Sequence, residues 1–216
     1  MRELRFYRTA SGRTPAKEFL DSLTGRQAQK VVWVLRLVEE EAFVPVQYFK
    51  KLTGTEDLWE VRAQHGNDTF RLLCFRDGSN LVVLVSGFAK KTQKTPFREI
   101  KLAEERRKDY LDGRGCMGDL KRYSRERAAR DAEFAEGLES GYEDFKLGVL
   151  LRQAREEAGL TQEEVANRLN THKSAISRIE NRAGDIRLST LDRYARAVGR
   201  QLSLELRSRS GIPSNG

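Results

Sequence analysis

The sequence predicts an α+β domain followed by an all-α domain. Residues 1–111 mix segments with a 3.6-residue apolar period and strand-like runs of alternating or continuous apolar residues. Residues 146–199 instead form a series of short amphipathic helical segments, and the next strand-like run is QLSLELR at 201–207. The glycine-rich stretch DGRGCMGD at 112–119 separates the two parts.

Turn and capping residues set the elements of the first part. Thr14-Pro15 and Thr95-Pro96 each place a capping residue before a proline and predict helix starts, and Val44-Pro45 ends a helix. HGND at 65–68 and DGSN at 77–80 predict hairpin turns. The predicted elements are a strand at 3–8, helices at 14–23 and 26–42, strands at 58–64, 69–75 and 81–88, and a helix at 95–111. This order predicts two helices packed on a small antiparallel sheet, plus a C-terminal helix.

The glycine-rich stretch is the best domain boundary. Met117 precedes a new hydrophilic segment, so residues 113–118 are interpreted either as an ordinary linker or as the junction of two reading frames. The resulting division has a first domain at 1–112, a polar helical segment at 119–145, a helical domain at 146–207 and a disordered tail at 208–216.

Composition limits the classes of function. The chain has 216 residues and a net charge of +8, and residues 1–116, with 22 basic and 16 acidic side chains, carry six of those charges. This excess favours a polyanionic partner for the first half. We expect a reduced cytoplasmic protein without a membrane span, a metal site or a cofactor, because apolar runs are short and there are only two His and two Cys.

The second half contains a helix–turn–helix pattern. Gly159-Leu160-Thr161-Gln162 ends one helix and begins another, with Thr161 and Glu164 spaced as a capping box. If Ile176 and Ile179 face the core, the next helix presents small polar and basic side chains, which suit a DNA major groove. These side chains are Lys173, Ser174, Ser177 and Arg178.

The pieces LRQAREEAGLTQEEVANRL, SAISRIENR and LSTLDRYARAVG, over residues 146–199, resemble the lambda-repressor/XRE family of helix-turn-helix domains. The resemblance implies that Gln162 and Asn181 contact phosphates of operator DNA. It implies base-edge contacts from the outward-facing set on the following helix, namely Lys173, Ser174, Ser177 and Arg178. Such domains bind palindromes as dimers, so we expect a dimer through this half.

A second constellation lies in the first half. Strand alternation places Glu60 and Arg62 on one face, and Arg71 on the neighbouring strand can share that face. The third strand runs out of the core at Phe88 and into Lys90, Lys91 and Lys94. Clustered cations beside an aromatic ring are typical of a surface for a single-stranded nucleic acid. Two alternatives stay open here: the arginines form ion pairs with Glu60, or the lysines protect a sheet edge from aggregation.

The pieces KKLTGTEDLWEVR, FRLLCF, VLVSGFAKKTQKTP and EIKLAEERRKDY resemble the HigB branch of the RelE/ParE-type toxins. The resemblance implies a metal-independent, ribosome-dependent endoribonuclease that cleaves mRNA and inhibits translation. The second half, with its helical extension, then resembles a HigA-type antitoxin. That half is expected to contact and inhibit the toxin and to repress its own operon.

Cleavage by the RNA 2′-hydroxyl needs charge stabilisation and proton transfer rather than a protein nucleophile. We assign Arg62 and Arg71 to clamping the phosphorane, and Lys90 and Lys91 to phosphate binding, one of them as acid or base. Phe88 and Lys94 support RNA or ribosome binding, and Glu60 orients Arg62 or acts as a base. Two rival functions are a DNA-binding regulator with an inert RelE-like accessory domain and a ParE-like gyrase inhibitor.

Overall fold

The computed structural model describes residues 2–90, 95–113 and 116–204, without the side chains of residues 90 and 116–119. The chain divides into two compact units, Met1–Tyr142 and Glu143–Gly216. The predicted α+β class is confirmed. Among the helices of the described ranges, none combines the length and the apolar character that a membrane crossing needs.

The N-terminal unit is built on one six-stranded sheet with the order β2-β3-β4-β5-β1-β6. β1 runs parallel to β5, and the other neighbouring pairs are antiparallel. The prediction of an antiparallel sheet was therefore wrong for this pair, because no hairpin joins β1 to β5 and fixes their relative direction. The elements are β1 (Glu3–Arg8), α1 (Pro15–Asp21), α2 (Gly25–Glu40), β2 (Phe49–Lys51), β3 (Leu58–His65), β4 (Asp68–Asp77), β5 (Leu81–Lys90), α3 (Phe97–Leu111), β6 (Cys116–Asp119), α4 (Leu120–Arg130) and α5 (Ala132–Ala135).

Helices cover both faces of this sheet. On one face, the Phe19 ring of α1 packs 6.4 Å from the Phe70 ring. The same ring lies against Gly87, where a Cβ would come within 2.2 Å of it, so only glycine fits this position of β5. On the other face, Ala103 of α3 joins a buried cluster with Leu73. The two predicted helices and the C-terminal helix therefore lie on opposite sides of the sheet.

Two short strands were missed. β2 pairs with β3, and β6 pairs with β1 through the register Arg5↔Asp119 to Arg8↔Cys116. Residues 116–118, interpreted from sequence as part of a linker, thus belong to a sheet edge. Strands of three or four residues at an edge pair through their backbones and need no apolar alternation, so the sequence carries little sign of them.

Residues 116–142, here called the connecting segment, pack against the rest of the N-terminal unit rather than forming one continuous polar helix. α4 and α5 are followed by α6 (Ser140–Glu157), and the boundary between the two units falls inside α6. Three aromatic side chains of this segment, Tyr123, Phe134 and Tyr142, are at most 2% exposed. The segment therefore contributes core residues to the N-terminal unit, although its composition is mostly polar.

The C-terminal unit continues with α7 (Gln162–Leu169), α8 (Lys173–Asn181) and α9 (Leu188–Ala197). Val165, Ile176 and Tyr194 form its buried centre. The strand predicted at 201–207 is not present at 201–204, which have no regular structure, and residues 205–207 and the predicted tail at 208–216 lie outside the described residues.

Candidate nucleic-acid interfaces

The first candidate interface lies where β3, β4 and β5 meet. The strand register places Arg62 directly opposite Arg71, and Arg71 directly opposite Phe88. Thr69 is opposite Lys90 two residue pairs further along, on the same face. The sequence prediction that these residues share one face of neighbouring strands agrees with this register.

Glu60 is the centre of a buried hydrogen-bond network on this face. Its side chain is fully buried, and its Oε2 accepts a 2.5 Å hydrogen bond from Nε of Arg62. Its Oε1 accepts hydrogen bonds from Nη1 of Arg71 at 2.5 Å and from the Thr95 hydroxyl at 2.7 Å. The same Arg71 nitrogen also donates to Thr95 Oγ1 at 2.6 Å. Two strands and the segment before α3 are thus joined through one carboxylate.

The charge of Glu60 follows from these contacts. Burial by itself raises the pKa of a carboxyl, but the hydrogen bonds from Thr95, Arg62 and Arg71 outweigh burial and hold the pKa of Glu60 below its usual value. The group is therefore an ionised acceptor at neutral pH, with both oxygens in use. This environment suits the orientation of Arg62 better than proton abstraction from a substrate.

The predicted catalytic side chains differ in access to solvent. Arg62 keeps 28% of its side chain exposed, whereas Arg71 is 5% exposed. Phe88 is half-buried and packs against the core cluster under α3. Of the groups with described side chains, Arg62 is thus better placed to meet a phosphate than Arg71. Lys90 is described only as the last backbone position of β5, and Lys91 and Lys94 lie outside the described residues.

Thr95 was missed as a site residue because the Thr-Pro pair reads as a helix cap. In the structure the N-cap of α3 is Pro96, without a side-chain cap, and Thr95 serves the Glu60 network instead. Two arginines of α3 that could have been solvated are also engaged. Arg106 donates to the Val85 carbonyl at 2.8 Å, and Arg107 pairs with Glu56 at 2.8 Å.

The second candidate interface is the helix–turn–helix of the C-terminal unit. The predicted capping box is confirmed: Thr161 accepts from the Glu164 backbone N–H, and the Glu164 side chain accepts from Thr161. Asn170 ends α7 in the left-handed region at φ 52°, which turns the chain toward α8. α8 exposes Lys173, Ser174 and Arg178 and half-buries Ser177.

A buried carboxylate organises this motif. Glu180 accepts from Arg155 at 2.6 Å, from the Tyr194 hydroxyl at 2.8 Å and from Nε2 of Gln162 at 3.0 Å. Arg152 also pairs with Glu180 and donates to Oδ1 of Asn181 at 2.8 Å. Gln162 and Asn181, the two side chains predicted to contact phosphates, are therefore held near the carboxylate of Glu180. The spacing of these residues along the sequence did not reveal this arrangement.

Hydrogen bonding keeps Glu180 charged. Burial raises the pKa of its carboxyl, but the donors Arg155, Gln162 and Tyr194 together bring the pKa below its usual value. Burial also raises the pKa of the Tyr194 hydroxyl, and its hydrogen bond to Glu180 adds to that shift. Gly148 allows the close approach of α6 to α8, since a Cβ there would lie 2.5 Å from the Glu180 carbonyl oxygen.

Comparisons with known proteins agree with this two-part layout. Residues 18–108 match the family described as phage derived protein Gp49-like, and residues 146–209 match a helix-turn-helix domain family. Antitoxin HigA1 of Mycobacterium tuberculosis strain CDC 1551 / Oshkosh is 39% identical over 88 residues, which are 41% of this chain and 59% of that protein. Antitoxin HigA1 of strain ATCC 25618 / H37Rv matches with the same values. The chain thus spans somewhat over half the length of these curated relatives, and it joins a Gp49-like domain to a helix-turn-helix domain.

Proposed function

We propose that this chain carries both parts of a type II toxin–antitoxin system. The toxin part, residues 1–112, is a ribosome-dependent mRNA endoribonuclease, and the remainder is an antitoxin that represses its own operon. The observation that carries the proposal is the presence of a Gp49-like domain and a helix-turn-helix domain in one chain. The Gp49-like domain contains the hydrogen-bond network of Arg62, Glu60 and Arg71. The similarity to proteins named antitoxin HigA1 supports the same assignment.

In the proposed reaction the RNA 2′-hydroxyl attacks the adjacent phosphorus and the 5′-oxygen leaves. Arg62 supplies positive charge to the phosphorane, since its guanidinium is partly exposed. Glu60, which also binds the buried Arg71, holds Arg62 in place, and neither Glu60 nor Arg71 contacts the phosphate. Lys90, the last residue of β5, and Lys91 are assigned to phosphate binding, with one of them as acid or base, and Lys94 is a further phosphate ligand.

Neutralisation is assigned to the connecting segment. Arg127 is 7% exposed, and its Nη2 donates to the Leu23 carbonyl at 2.9 Å beyond the end of α1. Gln29 and Trp33 of α2 donate to the carbonyls of Phe134 and Leu138 at 2.9 and 2.8 Å. These contacts lie on the α1 and α2 side of the sheet, opposite to α3. The segment would thus inhibit by adding bulk that blocks ribosome entry rather than by covering Arg62.

DNA binding is assigned to α8 and its supports. The exposed Lys173, Ser174 and Arg178 meet base edges, with Ser177 beside them, while Gln162 and Asn181 contact phosphates. The Glu180 network fixes the last two before DNA arrives, which lowers the ordering cost of binding. We assign a dimer on a palindromic operator to this half.

The test is growth after induction of residues 1–112 alone, with and without residues 113–216 from a second plasmid. Growth arrest that the second fragment relieves, accompanied by cleavage of cellular mRNA, is the expected outcome. Arg62→Ala should abolish the arrest, and Arg26→Ala is a matched control, since the Arg26 side chain is 67% exposed and its partner Glu133 lies outside this fragment. Unimpeded growth by a folded, soluble 1–112 fragment would sink the toxin proposal.

A second candidate function is a DNA-binding regulator whose toxin-like domain is inert. The burial of Arg71 and the engagement of both arginines by Glu60 favour it, because a purely structural ion-pair network would have the same geometry. Operator binding without growth arrest would support this candidate. DNA damage induction without mRNA cleavage would instead support a gyrase inhibitor.

A further inference from the structure

Phe97 is an exposed aromatic side chain two residues after Thr95, a member of the Glu60 network. It is the first residue of α3 and is 79% exposed, whereas Phe88, the aromatic that the sequence singled out for RNA contact, packs against the core under α3. A phenylalanine exposed to this extent gives up apolar burial and leaves most of its ring surface to solvent. This ring is therefore available to an incoming planar group in a way that Phe88 is not.

Its position is fixed by the residue two places earlier. The Thr95 hydroxyl is 2.7 Å from Oε1 of Glu60, whose other oxygen is bonded to Arg62. Two residues of extended chain span at most about 7 Å, so the Cα of Phe97 stays that close to the Cα of Thr95. The backbone of Phe97 is thus held close to a residue of the Glu60 network, to which the partly exposed Arg62 also belongs.

The surroundings of Phe97 are cationic. Arg98 and Lys101 are exposed on the first turns of α3, and Glu99, also in the first turn, is half-buried. The N-terminus of this 15-residue helix has no side-chain cap, which adds partial positive charge near the ring. An aromatic ring among exposed cations suits a single-stranded nucleic acid. Its bases can stack on the ring, and its phosphates can form ion pairs with the cations.

We infer that Phe97 is the stacking platform for a base of the RNA substrate, adjacent to the phosphate that Arg62 meets. The inference rests on the proposed endoribonuclease function and names its substrate contact. The contacts of the connecting segment with α2 lie on the opposite side of the sheet from α3, so they leave Phe97 exposed. The test uses the full-length protein.

The experiment measures fluorescence anisotropy of labelled decauridine RNA, and of the same oligomer with abasic residues, titrated with the full chain. Phe97→Ala should weaken binding of the intact RNA by roughly 5- to 150-fold, the effect of one lost stacked base. Phe97→Trp should bind within about twofold of wild type, since the larger ring stacks as well. Binding of the abasic RNA should not change between wild type and Phe97→Ala.

Phe43→Ala is the matched control, because Phe43 is 80% exposed in the same unit and lies in the α2–β2 connection. It should leave RNA affinity unchanged, and thermal melting of each variant checks that the fold is intact. Equal affinity of wild type and Phe97→Ala for intact RNA would overturn the inference while leaving the growth-arrest test of the toxin untouched. Failure of the wild-type protein to distinguish intact from abasic RNA would overturn it as well. Absence of any RNA binding by wild type, together with unimpeded growth, would remove both proposals.

Discussion

Replacing Glu60 by Gln tests whether one buried carboxylate holds β3, β4 and α3 together. Gln keeps the shape of the side chain but removes its charge, and Arg71, at 5% exposure, then loses its ionised partner. Breaking a buried ion pair from one side costs about 3–5 kcal/mol, because the remaining charge stays desolvated. We expect the free energy of unfolding of the N-terminal unit to fall by that amount at pH 7.

The assay is urea denaturation followed by tryptophan fluorescence. The chain has two tryptophans, Trp33 and Trp59, and both lie in the N-terminal unit, so the signal reports on this unit alone. Glu56→Gln is the matched control: Glu56 pairs with Arg107 at 2.8 Å, but its side chain is 84% exposed. An exposed pair of this kind contributes at most about 1 kcal/mol.

The pH dependence gives the prediction a second, independent outcome. The folded-state pKa of Glu60 lies below the usual value of 4.5, so its contribution is complete above that value and is lost as the pH falls through the folded-state pKa. A protonated Glu resembles Gln, so the difference between wild type and Glu60→Gln should shrink below pH 4.5. A loss under about 1 kcal/mol at pH 7 would refute the reasoning, since it is below the buried-pair range. A loss that stays constant down to pH 3 would also refute it.

Three further predictions concern the connecting segment and the C-terminal unit. Phe134→Ala removes a fully buried ring of the connecting segment and should lower the free energy of unfolding by about 3–5 kcal/mol in the same fluorescence assay. If the segment neutralises the toxin, this variant of the full chain should also slow growth. Unchanged growth by a variant whose N-terminal unit is destabilised would contradict that role. Gly148→Ala should lower the melting temperature of the helix-turn-helix unit, since its Cβ would lie 2.5 Å from a backbone oxygen of α8, and an unchanged circular-dichroism melt would exclude this close approach. Lys173→Ala with Arg178→Ala should weaken operator binding about tenfold or more and flatten its salt dependence in a mobility-shift titration. Arg196→Ala, on α9, is the control for that pair and should bind DNA normally, because Arg196 is 77% exposed and paired with its own helix neighbour.

Local features of this protein followed from the sequence alone. The Thr161–Glu164 capping box and the glycine turns at 66 and 78, both at positive φ, lie where their residue types predicted them. The apolar period of α2 correctly placed Val31 and Val38 in the core. Each of these depends on residues within about one helical turn or one hairpin loop, so chain neighbours determine them.

The tertiary structure decided the chemistry of the first candidate site. Sequence alternation placed Glu60 and Arg62 on one strand face, but the buried partnership of Glu60 with Arg71 depends on the β3–β4 register. The role of Thr95 depends on where α3 begins relative to a strand 35 residues earlier. No local pattern encodes such a distance.

The connecting segment and the second candidate interface also differ in what local sequence patterns and tertiary packing determine. The segment is polar along the chain, yet packing on α1 and α2 buries Tyr123, Phe134 and Tyr142. The residue types that predict DNA recognition are visible in the sequence, whereas the Glu180 carboxylate that holds Gln162 belongs to the helix after the turn. The sequence by itself determined which elements form and which residue types they present. Only the tertiary structure decided which charges are buried together and which side chains remain open to a ligand, because burial and pairing between distant segments depend on packing rather than on spacing along the chain.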